Sequence, residues 1–165
     1  MIACVDVDYR ADHAAAACLT FHQWEDAAPV STIVARIDDV EDYVPGEFYK
    51  RELPCLLQVL EPIAADLTTV VVDGYTSLAP GKPGLGAHLY EALGREIPVV
   101  GVAKTRFAGA TSEDVLRGTA IRPLYVTAIG MTVVDAAAFV KSMHGPYRIP
   151  TLLKLVDHVC RTASV

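Results

Sequence analysis

The chain has 165 residues, 52% of them hydrophobic, and a formal net charge of −6. That length fits one domain, residues 1–165, with a sizeable core, and the acidic balance argues against broad nonspecific affinity for nucleic acid. Asp26, Asp38, Asp73, Lys104 and Asp135 interrupt the apolar runs before any reaches the length of a bilayer span, so no membrane partner is expected.

The opening MIACVDVDY reads as a strand and not as a basic, cleavable leader, which predicts a cytoplasmic protein. Residues 2–9 alternate, with Cys4, Asp6 and Asp8 on one side and Val5, Val7 and Tyr9 on the other. Residues 14–22 and 29–37 are two further strand candidates, and the short polar links between them predict an antiparallel meander. Alanine on its own favours helix, but the brief links outweigh that preference over 14–22. A loop is expected over 38–46 and a helix over 47–60. Pro54 lacks a backbone donor and clashes with the preceding turn. It predicts either a kink or a helix beginning near Arg51, with Pro54 in the first turn.

Residues 68–73 and 98–104 are short, nearly continuous apolar runs of the kind found in buried parallel strands. A helix over 84–93 lies between them. A further strand is expected over 123–129, and helices over 132–143 and 150–162. The pattern specifies an α/β fold, with a mixed central sheet, an antiparallel three-strand start and flanking helices. Cys4, Cys18, Cys55 and Cys160 show no CxxC and no zinc-like spacing with histidine, so they read as buried free thiols.

Three acids stand out. Asp6, Glu52 and Asp73 come from separate elements, each in an apolar context. A buried carboxylate is costly without a partner, so three of them suggest a shared cation, and hard oxygen donors suit Mg²⁺ or Mn²⁺. Asp73 ends its strand and Gly74 follows it, at the strand end where open α/β sheets place ligands. Lys104 occupies the same kind of position on the next strand, where an ammonium could balance the acids or hold a phosphate. Two ions there could activate water and stabilise the leaving oxygen of a phosphodiester. Two plainer readings stay open: an acid at a strand end can cap a helix or answer a lysine, and Asp8 could serve in place of Asp6.

Lys50, Arg51, Lys82, Lys104, Arg106, Arg117 and Arg122 could form a basic rim, or stand as scattered solvated charges. The glycines at 81, 84 and 86 match no dinucleotide fingerprint, and Gly101-Val102-Ala103-Lys104-Thr105 lacks the upstream glycine of a phosphate-binding loop. No serine sits in a nucleophile elbow. His88 is a candidate neighbour of the site.

Several motifs occur in order: Tyr43-Val44-Pro45-Gly46, Arg51-Glu52-Leu53-Pro54, Val72-Asp73-Gly74, Gly84-Leu85-Gly86-Ala87-His88-Leu89, Gly101-Val102-Ala103-Lys104, Arg122-Pro123-Leu124-Tyr125 and Tyr147-Arg148-Ile149-Pro150. The ordered set resembles the endonuclease V family of DNA-repair nucleases, which nick nucleic acid near deaminated purines. The resemblance implies an RNase H-like fold and a metal-dependent hydrolase, with Asp6, Glu52 and Asp73 holding Mg²⁺ and Lys104 completing the catalytic set. It implies that Tyr43, with Pro45, wedges the strand beside the lesion, and that Gly46 and Gly74 offer backbone to the extruded base. The implied partner is DNA or RNA, single-stranded or lesion-containing.

The departures are as informative. The family's aspartate-glycine pair is usually followed by histidine, and here Tyr75 follows. A second histidine and its Pro-Arg pair give way to Leu78-Ala79-Pro80-Gly81, and a late Gly-His pair becomes Gly130-Met131. The family's helical segment ahead of the first strand has no counterpart. Tyr75 could replace one histidine as a hydrogen-bond donor, whereas Ala79 and Met131 cannot. The alternative expectation is a catalytically impaired relative that binds nucleic acid or a protein partner. A third is a small-molecule phosphohydrolase, which would have no use for a wedge at Tyr43.

Overall fold

In the computed structural model, which describes residues 1–42 and 44–165, strand β1 (Ile2–Tyr9) alternates as expected. Cys4 enters one apolar cluster, and Ala3 and Val5 enter the cluster on the opposite face. Strand β2 (Ala14–Phe21) runs antiparallel to β1, and β3 (Ser31–Ile37) runs antiparallel to β2 at the sheet edge. All eight residues of β2 are buried. Its alanines form strand because helices cover both faces, and small side chains let them approach closely; tertiary packing overrides the helical preference.

Helix α1 (Phe48–Leu60) starts before Arg51, so Pro54 lies inside the helix and not in its first turn. Pro54 is exposed, so the carbonyl left without a donor can be hydrated. An interior proline costs about 3 kcal/mol. Burial of Leu56, Val59 and Leu60 on the sheet, at about 1.5–3 kcal/mol each, exceeds it. A 3-10 turn over Glu61–Asp66 leads into β4 (Thr69–Asp73), which pairs parallel to β1 with Val5 opposite Val72.

A small hairpin of β5 (Ser77–Ala79) and β6 (Lys82–Pro83) precedes helix α2 (Leu85–Ala92). Strand β7 (Val99–Ala103) then pairs parallel to β4. Strand β8 (Glu113–Val115) and β9 (Leu124–Ile129) complete the sheet, in the order β3-β2-β1-β4-β7-β9-β8. Helix α3 (Val133–Ser142) is capped by Thr132, whose hydroxyl accepts from the Asp135 N–H at 3.1 Å. Helix α4 (Thr151–Thr162) closes the fold.

The 3-10 turn, the hairpin and β8 were not expected from the sequence. Each is too short for a hydrophobic period to register.

Two cores sandwich the sheet. On one face α1 and α2 bury Leu56, Val59 and Leu89 against Val70, Val72 and Val99. On the other, α3 and α4 bury Val140, Leu152 and Val156 against Val71, Val100 and Val126. All four cysteines are buried and free. Among the described residues no helix is long and apolar enough to cross a membrane. Because β1, β4 and β7 are parallel neighbours, their carboxyl ends lie side by side at one edge, and that edge carries the candidate site.

Candidate active site

Asp6 lies one residue beyond Val5, the last residue of β1 registered with β4, and Asp73 lies one residue beyond Val72 on that neighbour. By strand alternation Asp6 shares a face with Cys4 and Asp73 with Val71, both in the core beneath α4. Glu52 comes from α1, which packs on the other face. The pairing of β1 with β4 brings Asp6 and Asp73 to one edge of the sheet.

Electrostatics tie the three acids together. Burial pushes the Asp6 carboxyl up to about 6, and the charges of Asp73 and Asp157 add to it; the Val7 N–H, 2.9 Å from Oδ1, and Lys104 oppose the rise. Burial pushes Glu52 up to about 8, with Asp6 and Asp73 reinforcing it. Glu52 is 5% exposed, and its Oε2 is buried with no hydrogen-bond partner. A buried, unpaired carboxylate oxygen beside two other carboxylates is a poor solution for a protein alone. A cation would satisfy it, and the all-oxygen donor set fits a hard divalent ion.

The three acids do not form a finished ligand cage. Among the described residues no group of three or more His, Cys, Asp or Glu side chains is poised to hold a metal ion. Asp73 is instead engaged by Lys104, whose Nζ donates to its Oδ2 at 2.7 Å. Burial pulls the Lys104 ammonium down, but that hydrogen bond and the charges of Asp73, Asp6 and Asp157 outweigh it and hold the group above the ordinary lysine range. Asp6, Asp73 and Lys104 border a cavity of about 30 Å³ with Val102, Ile149 and Val156, room for roughly one water molecule or a bare ion. Asp8 is engaged by Arg10 at 3.3 Å, which favours Asp6 as the free acid of β1.

Gly74 has φ +118, and open space lies where its Cβ would be. Any other residue would be strained there, and the absent side chain leaves the backbone beside Asp73 accessible. Pro45 and Gly46 are exposed, with Gly46 at φ +84 in the turn before α1. Tyr43 falls outside the described residues. His88 stacks on Tyr49, ring centroids 3.5 Å apart, which gives that histidine a packing role. The residues from 81 to 86 form the second half of the hairpin and the start of α2, with no phosphate-binding loop.

The expected basic rim is largely consumed. Lys50, Lys104 and Arg106 pair with Glu47, Asp73 and Asp114. Arg51 lies over the Tyr9 ring at 3.8 Å, and Arg117 is buried. Lys82 and Arg122 remain exposed.

Two residues escaped sequence reasoning or gained definition. Asp157 on α4 acts electrostatically on both Asp6 and Lys104 and lines a groove together with Lys104. In the sequence it is one more polar residue on an amphipathic helix, with nothing to separate it from a solvated one. Tyr75 is the residue that could stand in for a histidine as a donor. Its hydroxyl donates to the Thr105 carbonyl at 2.7 Å and accepts from the Phe107 N–H at 3.0 Å, bracing the segment that follows Lys104.

A mixed sheet with acids at the ends of adjoining central strands, helices on both faces and an antiparallel opening is the RNase H-like fold. Solved endonuclease V structures share it. The Streptomyces avermitilis enzyme is 26% identical, with a TM-score of 0.76 over 97% of this chain and 79% of that one. The Ciona intestinalis enzyme, in complex with a 24mer DNA containing an inosine followed by a ribo-adenosine, superposes with a TM-score of 0.80 over 97% of this chain and 83% of that one, at 18% identity, a likeness of fold alone.

The endonuclease V family model matches residues 1–141, and the chain belongs to that family. Endonuclease V from Xanthomonas oryzae pv. oryzae PXO99A is 37% identical over 106 residues, covering 64% of this chain and 43% of that protein. The Nostoc punctiforme enzyme is 29% identical over 181 residues, covering 94% and 80%. The match thus spans less than half the length of the Xanthomonas relative.

Proposed function

We propose that this chain is a divalent-metal-dependent endonuclease of the endonuclease V type, hydrolysing phosphodiester bonds near deaminated bases, inosine or deoxyinosine, in DNA or RNA in the cytoplasm. The observation that carries the reading is the buried, unpartnered Oε2 of Glu52 beside Asp6 and Asp73 at the parallel strand ends. Asp6, Glu52 and Asp73 would hold Mg²⁺, or Mn²⁺ in its place, with Asp157 as a fourth acid on the α4 side. Such an ion would supply Lewis-acid stabilisation of the phosphoryl oxygens and would acidify a water for attack.

The chain's own groups do the rest. Lys104 holds its proton at Nζ and neutralises charge on the phosphate as it develops. Its pairing with Asp73 keeps that ammonium at the strand end before substrate arrives. Tyr43 with Pro45 parts the strand beside the lesion, and the backbone of Gly46 and Gly74 admits the extruded base.

A cleavage assay on inosine-containing DNA and RNA strands, with Mg²⁺ and with Mn²⁺, tests this reading. Wild type is expected to cut, and Asp73→Asn to lose at least about a thousandfold in rate while keeping its circular dichroism. Undiminished cutting by that variant removes Asp73 from the chemistry.

One set of observations favours a second reading, a catalytically impaired relative that binds nucleic acid or a protein partner. Neither Leu78-Ala79-Pro80-Gly81 nor Met131 can act as the family's histidines do, and Asp73 is tied to Lys104. Metal binding by calorimetry, with no cutting of inosine, mismatch, flap or single-stranded substrates, would establish that reading over the first.

A further inference from the structure

Beside the acid site, a groove of about 260 Å³ is lined by Lys104, Tyr147, Arg148, Ile149, Leu153 and Lys154. Tyr147 is 71% exposed. Exposure of that degree means that the ring contributes little to the core, yet the backbone carrying it is tied down with unusual thoroughness.

The guanidinium of Arg117, a residue only 5% exposed, donates to four carbonyls of this loop: Met143, Gly145 at 3.2 Å, Tyr147 at 2.8 Å and Arg148 at 3.4 Å. Arg148 in turn donates to the Lys104 carbonyl and to that of Pro123 at 2.8 Å. His144 Nδ1 and Thr151 Oγ1 meet at 2.9 Å. Arg148 therefore locks the loop to Lys104, one of the residues that border both cavities.

A rigid loop presenting a solvent-facing aromatic ring is pre-organised for contact, because little ordering entropy remains to be lost on binding. The groove adds apolar floor from Ile149 and Leu153, and a cation at Lys154, which is exposed. The only acid among the residues bordering it, Asp157, stands where the groove meets the acid site.

We infer that this groove carries a single strand of nucleic acid away from the acid site, with one base stacked on Tyr147 and a backbone phosphate met by Lys154. The inference rests on the nuclease reading for the strand's direction, but the groove chemistry, an exposed ring beside an ammonium, is that of sequence-tolerant single-strand binding. It also answers the acidity of the chain as a whole. Half of its lysines and arginines are held in ion pairs within the chain, and Lys154 is not one of those seven.

The test uses the full chain without metal and a labelled oligothymidylate and oligouridylate of about 20 nucleotides, long enough to fill a single-strand site. Affinity is measured by fluorescence anisotropy as a function of salt. Tyr147→Ala is expected to weaken binding roughly ten- to a hundredfold, as loss of one stacked base does. Tyr147→Phe keeps the ring and is expected to stay within about twofold of wild type. Lys154→Ala should lower the slope of log affinity against log salt by about 0.7, the value for one phosphate of a single strand. The proposal is overturned if wild type binds neither oligomer, or if a folded Tyr147→Ala binds both as wild type does.

The inosine assay is read separately. Cutting that persists alongside Tyr147-independent binding removes the groove and spares the nuclease. Tyr147-dependent binding without any cutting does the reverse.

Discussion

The acid site and the loop over 143–149 lie next to each other and are built on opposite terms. At the acid site polar groups are left wanting: Glu52 Oε2 has no partner, and both Glu52 and Asp6 are pushed toward the protonated state. In the loop, backbone carbonyls are answered by two arginines, although the Nε of each is itself buried without a partner. One region carries unfavourable electrostatics and the other spends hydrogen bonds on rigidity. The contrast is between acids left without partners at the strand ends and a braced loop beside them.

The sharpest way to break this comparison is Glu52→Gln. If Glu52 is a ligand, the amide removes a charged donor, and cleavage should fall by at least about a thousandfold. The same change should stabilise the metal-free protein, and the pH dependence carries the sign. The folded-state value of Glu52 is raised from 4.5 to about 8. The folded protein therefore holds the proton more tightly than the unfolded chain does. The associated stability is full below pH 4.5 and is lost as pH rises to about 8.

Gln carries no such loss. In EDTA, unfolding of Glu52→Gln and wild type should diverge through that window, with the variant ahead by on the order of a few kcal/mol above it. Adding Mg²⁺ should close the gap for wild type alone, since binding to the folded state adds stability. A variant less stable than wild type at alkaline pH would mean that Glu52 is an ordinary structural acid.

Arg117→Met addresses the other half of the comparison. Methionine keeps an apolar stem and removes the guanidinium, leaving carbonyls of Met143, Gly145, Tyr147 and Arg148 without their donor. A loss of about 3 kcal/mol is expected, since a buried carbonyl stripped of its partner costs about 1–3 kcal/mol and some will recruit water. Amide hydrogen exchange should speed up over 143–149 more than in β1 or β4. Uniform exchange through the whole chain would show that Arg117 supports the global fold and not that loop.

The two regions were also unequally legible in the sequence. Strand periods, buried apolar runs and helix faces are local patterns, and they placed β1, β4, β7 and the helices to within a residue or two. Asp6, Asp73 and Lys104 stood out because an ionisable group at the end of an apolar run is a local anomaly. The partners of Arg117 and Tyr75 did not, because each acts on backbone carbonyls or amides about thirty positions away. Every residue offers the same carbonyl, so no residue type at the far end marks the partner. Asp157 was hidden for a different reason: its meaning depends on which face of α4 meets β1, and helix amphipathicity alone does not single out one polar residue near that boundary.

Tyr75→Phe is the smallest and most discriminating change. It retains the ring, which is 8% exposed, and deletes only the hydroxyl that links the Thr105 carbonyl to the Phe107 amide. The expected loss of stability is about 1 kcal/mol, the net worth of a typical hydrogen bond. If the brace positions Lys104, the rate at saturating substrate should drop by about tenfold with KM nearly unchanged, because the ammonium would be misplaced only where transition-state charge develops. Tyr75→His puts back a side-chain donor of the type the family usually carries there, and partial recovery is expected from it. Equal rates for wild type and Tyr75→Phe, with the same small loss of stability, would show that the hydroxyl holds the loop after Lys104 without setting the position of its ammonium.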